Sequence, residues 1–97
     1  MSLIIGIDPG SRLTGYGIIE KDGSKLTFVD AGTIRTETTE MPERLKRIFA
    51  GVERIVKFYG PTEAAVEQVF MAQNPDSALK LGQARGAAVA ALVNLDL

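Results

Sequence analysis

Ninety-seven residues, 45% hydrophobic and 24% charged, make one small globular domain at most and exclude a disordered chain. Eleven basic against twelve acidic side chains leave a net charge of −1, which is no footprint of nucleic-acid binding and counts against it. Cysteine and histidine are both absent, so disulfides, thiolate sites and imidazole chemistry are excluded, and any metal is held by oxygen, which favours Mg²⁺ or Mn²⁺ over zinc.

Residues 3–7 are apolar in succession, as in a central strand covered on both faces. The run is too short for a signal peptide and lacks a basic flank. No apolar stretch approaches the roughly 20 residues of a membrane span, so the chain is read as cytosolic, with no membrane partner. Pro9-Gly10-Ser11 is a turn signal. Residues 14–20 form a second β-like run, with Tyr16 and Ile18 on one face and Gly15, Gly17 and Ile19 on the other. Asp22-Gly23 predicts a tight turn. Residues 25–34 then alternate, with Leu26 and Phe28 opposite Thr27 and Val29. The first third therefore reads as three antiparallel strands.

Leu45, Ile48, Phe49, Val52, Ile55, Val56 and Tyr59 make a single helical stripe. Pro42 suits the first turn of that helix, Glu43 complements its dipole, and Gly60-Pro61 ends it. Residues 62–66 form a short strand. Asn74-Pro75-Asp76 starts a second helix, with Asn as cap and Pro at the first position, running to about Asn94. The order is β-β-β-α-β-α.

Direction sets the geometry. Tight turns reverse the chain twice, and the first helix returns it, so the fourth strand runs parallel to the first. Asp8 and Glu67 follow the apolar runs of those two strands and share one edge of the sheet, where ligands of open α/β sheets bind. On adjacent strands they would stand ~5 Å apart. Two such carboxylates repel unless a cation lies between them, so the pair is a candidate half of a divalent-metal site. The plainer reading makes Asp8 the start of an Asp-Pro-Gly turn and Glu67 the end of a strand; spacing alone does not separate the two.

Three motifs resemble the RuvC family of Holliday-junction resolvases: Ile5-Gly6-Ile7-Asp8-Pro9-Gly10-Ser11 with Thr14-Gly15-Tyr16-Gly17, then Glu67-Gln68-Val69-Phe70-Met71-Ala72, then Ser77-Ala78-Leu79-Lys80-Leu81-Gly82-Gln83-Ala84-Arg85-Gly86. The likeness runs along essentially the whole chain, and the second and third motifs are the more specific. It implies an α/β, ribonuclease-H-like mixed sheet and a homodimeric endonuclease that nicks two opposing strands of a four-way DNA junction with Mg²⁺, for which Mn²⁺ substitutes. It implies RuvA and RuvB as further partners. Of four acidic catalytic positions in the family, Asp8 and Glu67 match two; Asp8 is expected to bridge two metals and Glu67 to bind one. The other two belong to a last helix after a fifth strand, beyond Leu97. On this resemblance residues 1–97 are a C-terminally truncated ribonuclease-H-like domain, expected to be inactive alone. Asp96, at the far end of the second helix, is a poor substitute.

Phe70 lies three residues past the strand end, where an aromatic ring can stack on an unpaired base; the resemblance favours this over a Phe folded onto the core. Gln73 takes a position that relatives can fill with a basic residue. Arg12, Lys80 and Arg85 are candidate phosphate contacts, whereas Arg44, Lys46, Arg47, Arg54 and Lys57 read as a solvated helix face interleaved with Glu43 and Glu53. Gly82, Gly86 and Ala90, with Ala87 and Ala91, give the second helix a nearly flat face. Small residues permit close helix approach, which serves packing on its own sheet or the dimer interface that the resemblance implies. Two other classes are weighed. An actin-like or Hsp70-like ATPase fragment shares the Ile-Gly-Ile-Asp-Xaa-Gly turn but not Glu67-Gln68-Val69-Phe70. A non-catalytic ribonuclease-H-like module would bind branched DNA or a protein partner without cutting.

Overall fold

The computed structural model describes residues 2–37, 39–68 and 74–97. Its elements are β1 (Ser2–Asp8), β2 (Leu13–Asp22), β3 (Lys25–Arg35), α1 (Met41–Tyr59), β4 (Glu63–Val66) and α2 (Pro75–Asn94). They form one mixed sheet in the order β3-β2-β1-β4. β1 pairs antiparallel with β2 and parallel with β4, the arrangement expected from the chain reversals. No helix among the described residues is long and apolar enough to cross a membrane.

Local chemistry sets the element ends. Gly23 takes a positive φ of 63° in the two-residue loop between Asp22 and Lys25, which pair, so Asp22 belongs to the strand and not to the loop. Pro42 occupies the first turn of α1, where its missing N–H removes no helical bond. Gly60 closes that helix in the left-handed region, its N–H donating to the Val56 carbonyl at 2.8 Å. The Asn74 side chain caps α2 by accepting from the Ser77 N–H at 2.9 Å.

Strand alternation sends Ile5, Ile7 and Ile18 to one face of the sheet, where they share a core with Ile48, Val52 and Val56 of α1 and Ala84, Ala88, Ala91 and Leu92 of α2. The predicted α1 stripe is thus the buried one. The alternation expected of β3 is broken. Ile18 pairs with Asp30 but Ile19 pairs with Phe28, so Val29 is an extra residue in the ladder. Such a bulge puts the side chains on its two sides out of step, so those before Val29 face the side opposite to simple alternation. Phe28 is accordingly 70% exposed, and Leu26 and Val29 are exposed with it.

One contact ties α1 to the flank of the sheet. The Tyr59 hydroxyl in its last turn donates to the Asp30 carboxylate of β3. This bond holds the Asp30 carboxyl below its ordinary range and pushes the Tyr59 hydroxyl up to about 12. Ile18 lies at the centre of the sheet and is fully buried. Ile18→Ala is expected to cost about 2–5 kcal/mol, read as a fall in the midpoint of chemical denaturation.

Candidate active site

The parallel β1–β4 ladder places the two carboxylates. Ile7 pairs with Val66, and the Glu67 N–H donates to the Ile7 carbonyl at 2.9 Å, one step past the end of β4. Asp8 and Glu67 therefore leave the ladder side by side. Ile7 and Val66 point into the core, so alternation turns both carboxylates to the opposite face. Both are exposed.

That face is nearly bare around Asp8. A shallow hollow of about 390 Å³ is lined in part by Gly6, Asp8, Gly15 and Gly17. A β-carbon on Gly15 would lie 3.7 Å from the Asp8 β-carbon, and one on Gly6 or Gly17 would meet nothing. The glycines keep the carboxylates accessible from the side of the sheet away from the helices. Sequence reasoning placed Gly15 and Gly17 on this face of β2 but missed their role; the signal was the Gly-x-Gly spacing within a strand opposite an acidic residue.

The loop after Asp8 is pinned from two sides. Thr14, fully buried, donates its hydroxyl to the Gly10 carbonyl at 2.9 Å and accepts from the Gly10 N–H at 3.3 Å. Thr36, also buried, donates its hydroxyl to the Ser11 carbonyl at 2.7 Å, and its N–H donates to the Arg12 carbonyl at 2.9 Å. Gly10 cannot carry a side chain, because a β-carbon would collide with the Leu13 carbonyl. These contacts hold the Asp8 backbone without using its carboxylate.

Electrostatics mark the pair. The Glu67 carboxyl titrates above its ordinary 4.5, first because its protonated form hydrogen-bonds Asp8, then because of the Asp8 negative charge, then through slight desolvation. Two hard oxygen donors whose like charge destabilises them together are a donor set suited to Mg²⁺ or Mn²⁺. Among the described residues no group of three or more acidic, histidine or cysteine side chains could hold a metal, so the described site stops at two carboxylates.

The other candidates are distributed as follows. Arg12 is exposed on the pinned loop, and its charge is felt by Glu37. Lys80 forms an ion pair with Asp76 at 3.1 Å, one helical turn away. Arg85 donates from Nε to the Glu67 backbone carbonyl at 3.5 Å, which links α2 to the site through the backbone, a connection no sequence spacing announced. Phe70 and Gln73 lie outside the described residues. Gly82, Gly86 and Ala90 are exposed along α2 beside the exposed Leu79 and Val93, while the buried side of that helix uses Ala84, Ala88 and Ala91. Asp96 follows the end of α2 with a positive φ of 66°.

Two outcomes are expected from this geometry. Between pH 4.5 and the raised value of Glu67 the native state binds more protons than the unfolded chain, so stability falls as pH rises through that window. Thermal denaturation from about pH 4 to about pH 7 should show this slope, flattened in Glu67→Gln and offset at neutral pH by Mg²⁺. Thr36→Val keeps the backbone bond and loses the hydroxyl bond, and is expected to cost about 1 kcal/mol in denaturant unfolding.

Comparison with known proteins bears on this arrangement. The family model for the crossover junction endodeoxyribonuclease RuvC matches residues 4–97. A crossover junction endodeoxyribonuclease RuvC of Acinetobacter baumannii is 95% identical over 97 residues, covering 100% of this chain and 54% of the relative. The Acinetobacter baylyi protein of the same description is 88% identical over the same span, again 54% of its length. The chain thus spans about half the length of these relatives. Among solved structures, Thermus thermophilus RuvC in complex with Holliday junction substrate superposes with a TM-score of 0.87 at 29% identity, covering 97% of this chain and 58% of that one.

Proposed function

The chain belongs to the RuvC family of crossover junction endodeoxyribonucleases, with the ribonuclease-H-like mixed sheet of that family, and from that premise we propose that it carries part of the active site of a metal-dependent enzyme that resolves Holliday junctions by paired, symmetric nicks in recombination and repair. The observation that carries this reading is the side-by-side exit of Asp8 and Glu67 from parallel strands onto a glycine-lined, open face.

Asp8 and Glu67 would hold Mg²⁺, with Mn²⁺ able to substitute. The bound cation would supply Lewis-acid activation of water and charge stabilisation at the phosphodiester. The chain's own residues do the placing. The Gly15 and Gly17 face leaves room for a sugar-phosphate strand to reach the carboxylates. Thr14 and Thr36 keep the Asp8 loop from shifting as a strand enters. Arg85 steadies the Glu67 backbone and, with Arg12 and Lys80, is proposed to meet phosphates. Phe70 is proposed to stack on an unpaired base at the junction centre. A two-fold junction cut symmetrically calls for a two-fold enzyme, and the exposed Gly82, Gly86 and Ala90 side of α2 is the proposed homodimer contact. RuvA and RuvB are proposed partners, and the cytoplasm the proposed compartment.

Two carboxylates bind one cation weakly and do not build the two-metal clamp that in-line phosphodiester hydrolysis uses. Residues 1–97 alone are therefore expected to leave a synthetic four-way junction uncut in Mg²⁺. Symmetric nicks that disappear in Asp8→Asn would overturn that expectation. Binding to the same junction should weaken as salt rises, with a slope of roughly −0.9 per phosphate contact. The slope should flatten by about one contact in Arg12→Ala or Lys80→Ala.

A further inference from the structure

A second concavity lies away from the carboxylates, between α1 and β3. On α1, Arg47, Gly51, Arg54 and Phe58 fall at i, i+4, i+7 and i+11 and share one side of the helix. Gly51 brings that side down onto the strand: a β-carbon there would lie 2.8 Å from Ile34 Cδ1. Arg47 and Arg54, before and after Gly51, line with β3 a cleft of about 610 Å³.

Its chemistry is one-sided. Arg35, Arg47 and Arg54 line it, and among the described residues no carboxylate does. Arg35 and Arg47 each have a carboxylate at 3.5 Å, Glu37 and Glu43 respectively. Exposed pairs of this kind are weak and yield to a competing anion. Arg54 has no ion-pair partner among the described residues. Phe58 is 78% exposed, its ring edge-on to Tyr59 at 4.8 Å. An exposed aromatic beside arginines, one of them without an ion-pair partner among the described residues, is an anchor of the kind found at interfaces. β3 is the terminal strand of the sheet, with β2 as its neighbour and its outer edge unpaired among the described strands.

We propose that this cleft binds an acidic, extended peptide segment of a partner protein. The segment adds to the edge of β3, places carboxylates on Arg47 and Arg54, and sets an apolar side chain against Phe58. Three features select a peptide over nucleic acid. A strand edge offers backbone hydrogen bonds that a polypeptide matches and a phosphate backbone does not. Arg47 and Arg54 stand roughly 10 Å apart along the helix axis, a distance that about three residues of extended peptide span. The cleft also lies on the helix side of the sheet at β3, with β2 between it and β1, whereas Asp8 and Glu67 open on the other face. DNA seated on the carboxylates leaves it free.

The test uses a fluorescein-labelled octapeptide of aspartate and glutamate with one central phenylalanine, titrated by fluorescence anisotropy against this chain. Binding is expected, weakened at least tenfold by Arg54→Glu and by Phe58→Ala. It should be lost when the peptide's acids become amides or when alternate backbone nitrogens are methylated. All the substituted side chains are exposed, and circular dichroism checks each variant's fold. On the unsubstituted chain, amide NMR shifts should move at residues 33–35 and 47–58. Absence of binding below millimolar peptide overturns the proposal. So does undiminished binding to the Arg47→Glu, Arg54→Glu double variant, and so do shifts confined to the Asp8 and Glu67 region. Capture of a short single-stranded oligonucleotide in place of the peptide, abolished by Arg54→Glu, would assign the cleft to nucleic acid and overturn it as well.

Discussion

Two negative charges held side by side by a backbone ladder are the constraint on which the rest of the molecule turns. The Glu67 N–H bonded to the Ile7 carbonyl continues the parallel register past the end of β4, so Asp8 and Glu67 cannot separate without breaking strand pairing. The hydrogen bond between them and then the Asp8 charge raise the titration of Glu67. The fold holds that unfavourable arrangement because the adjoining residues on the same strands, Ile7 and Val66, belong to the core. Burial of one side of the strands sustains charge crowding at their exposed ends.

The remaining structure serves that placement. Two buried threonines bond to the loop after Asp8, one from β2 and one from the segment after β3. They are the buried polar residues of the described core, and each is satisfied by a backbone carbonyl, so neither destabilises the interior. The glycines around Asp8 leave the face beside it open. Arg85 reaches from α2 to the Glu67 carbonyl, so the second helix contributes to the site through backbone position and not through its own carboxylates.

Helix α2 divides its small residues by purpose. The alanines at 84, 88 and 91 are buried in the shared core, where short side chains bring the helix close. The glycines at 82 and 86 and Ala90 lie on the exposed side, outside that core. Helix α1 shows a comparable division. Its buried stripe covers the sheet, while its flank, close to β3 at Gly51, carries the arginines and Phe58 of the cleft. Arg47 and Lys57 do sit in the i, i+4 ion pairs of a solvated face, and Arg47 borders the cleft as well.

Much was determined by sequence alone. The element order, the helix ends at Pro42, Gly60 and Asn74, the face of α1 that is buried and the shared edge of Asp8 and Glu67 all follow from local rules: periodicity, capping chemistry and chain reversal. Those rules act over a few residues and need no partner. What only the tertiary structure decided involves pairs distant in the chain. The Val29 bulge depends on how β3 registers against β2, and it turned Phe28 outward against the simple alternation. The pinning of residues 11 and 12 by Thr36, the Arg85 bond to Glu67, and the cleft between Gly51 and Ile34 arise from contacts across the fold. Sequence spacing cannot encode them, because each depends on where two independently folded segments meet.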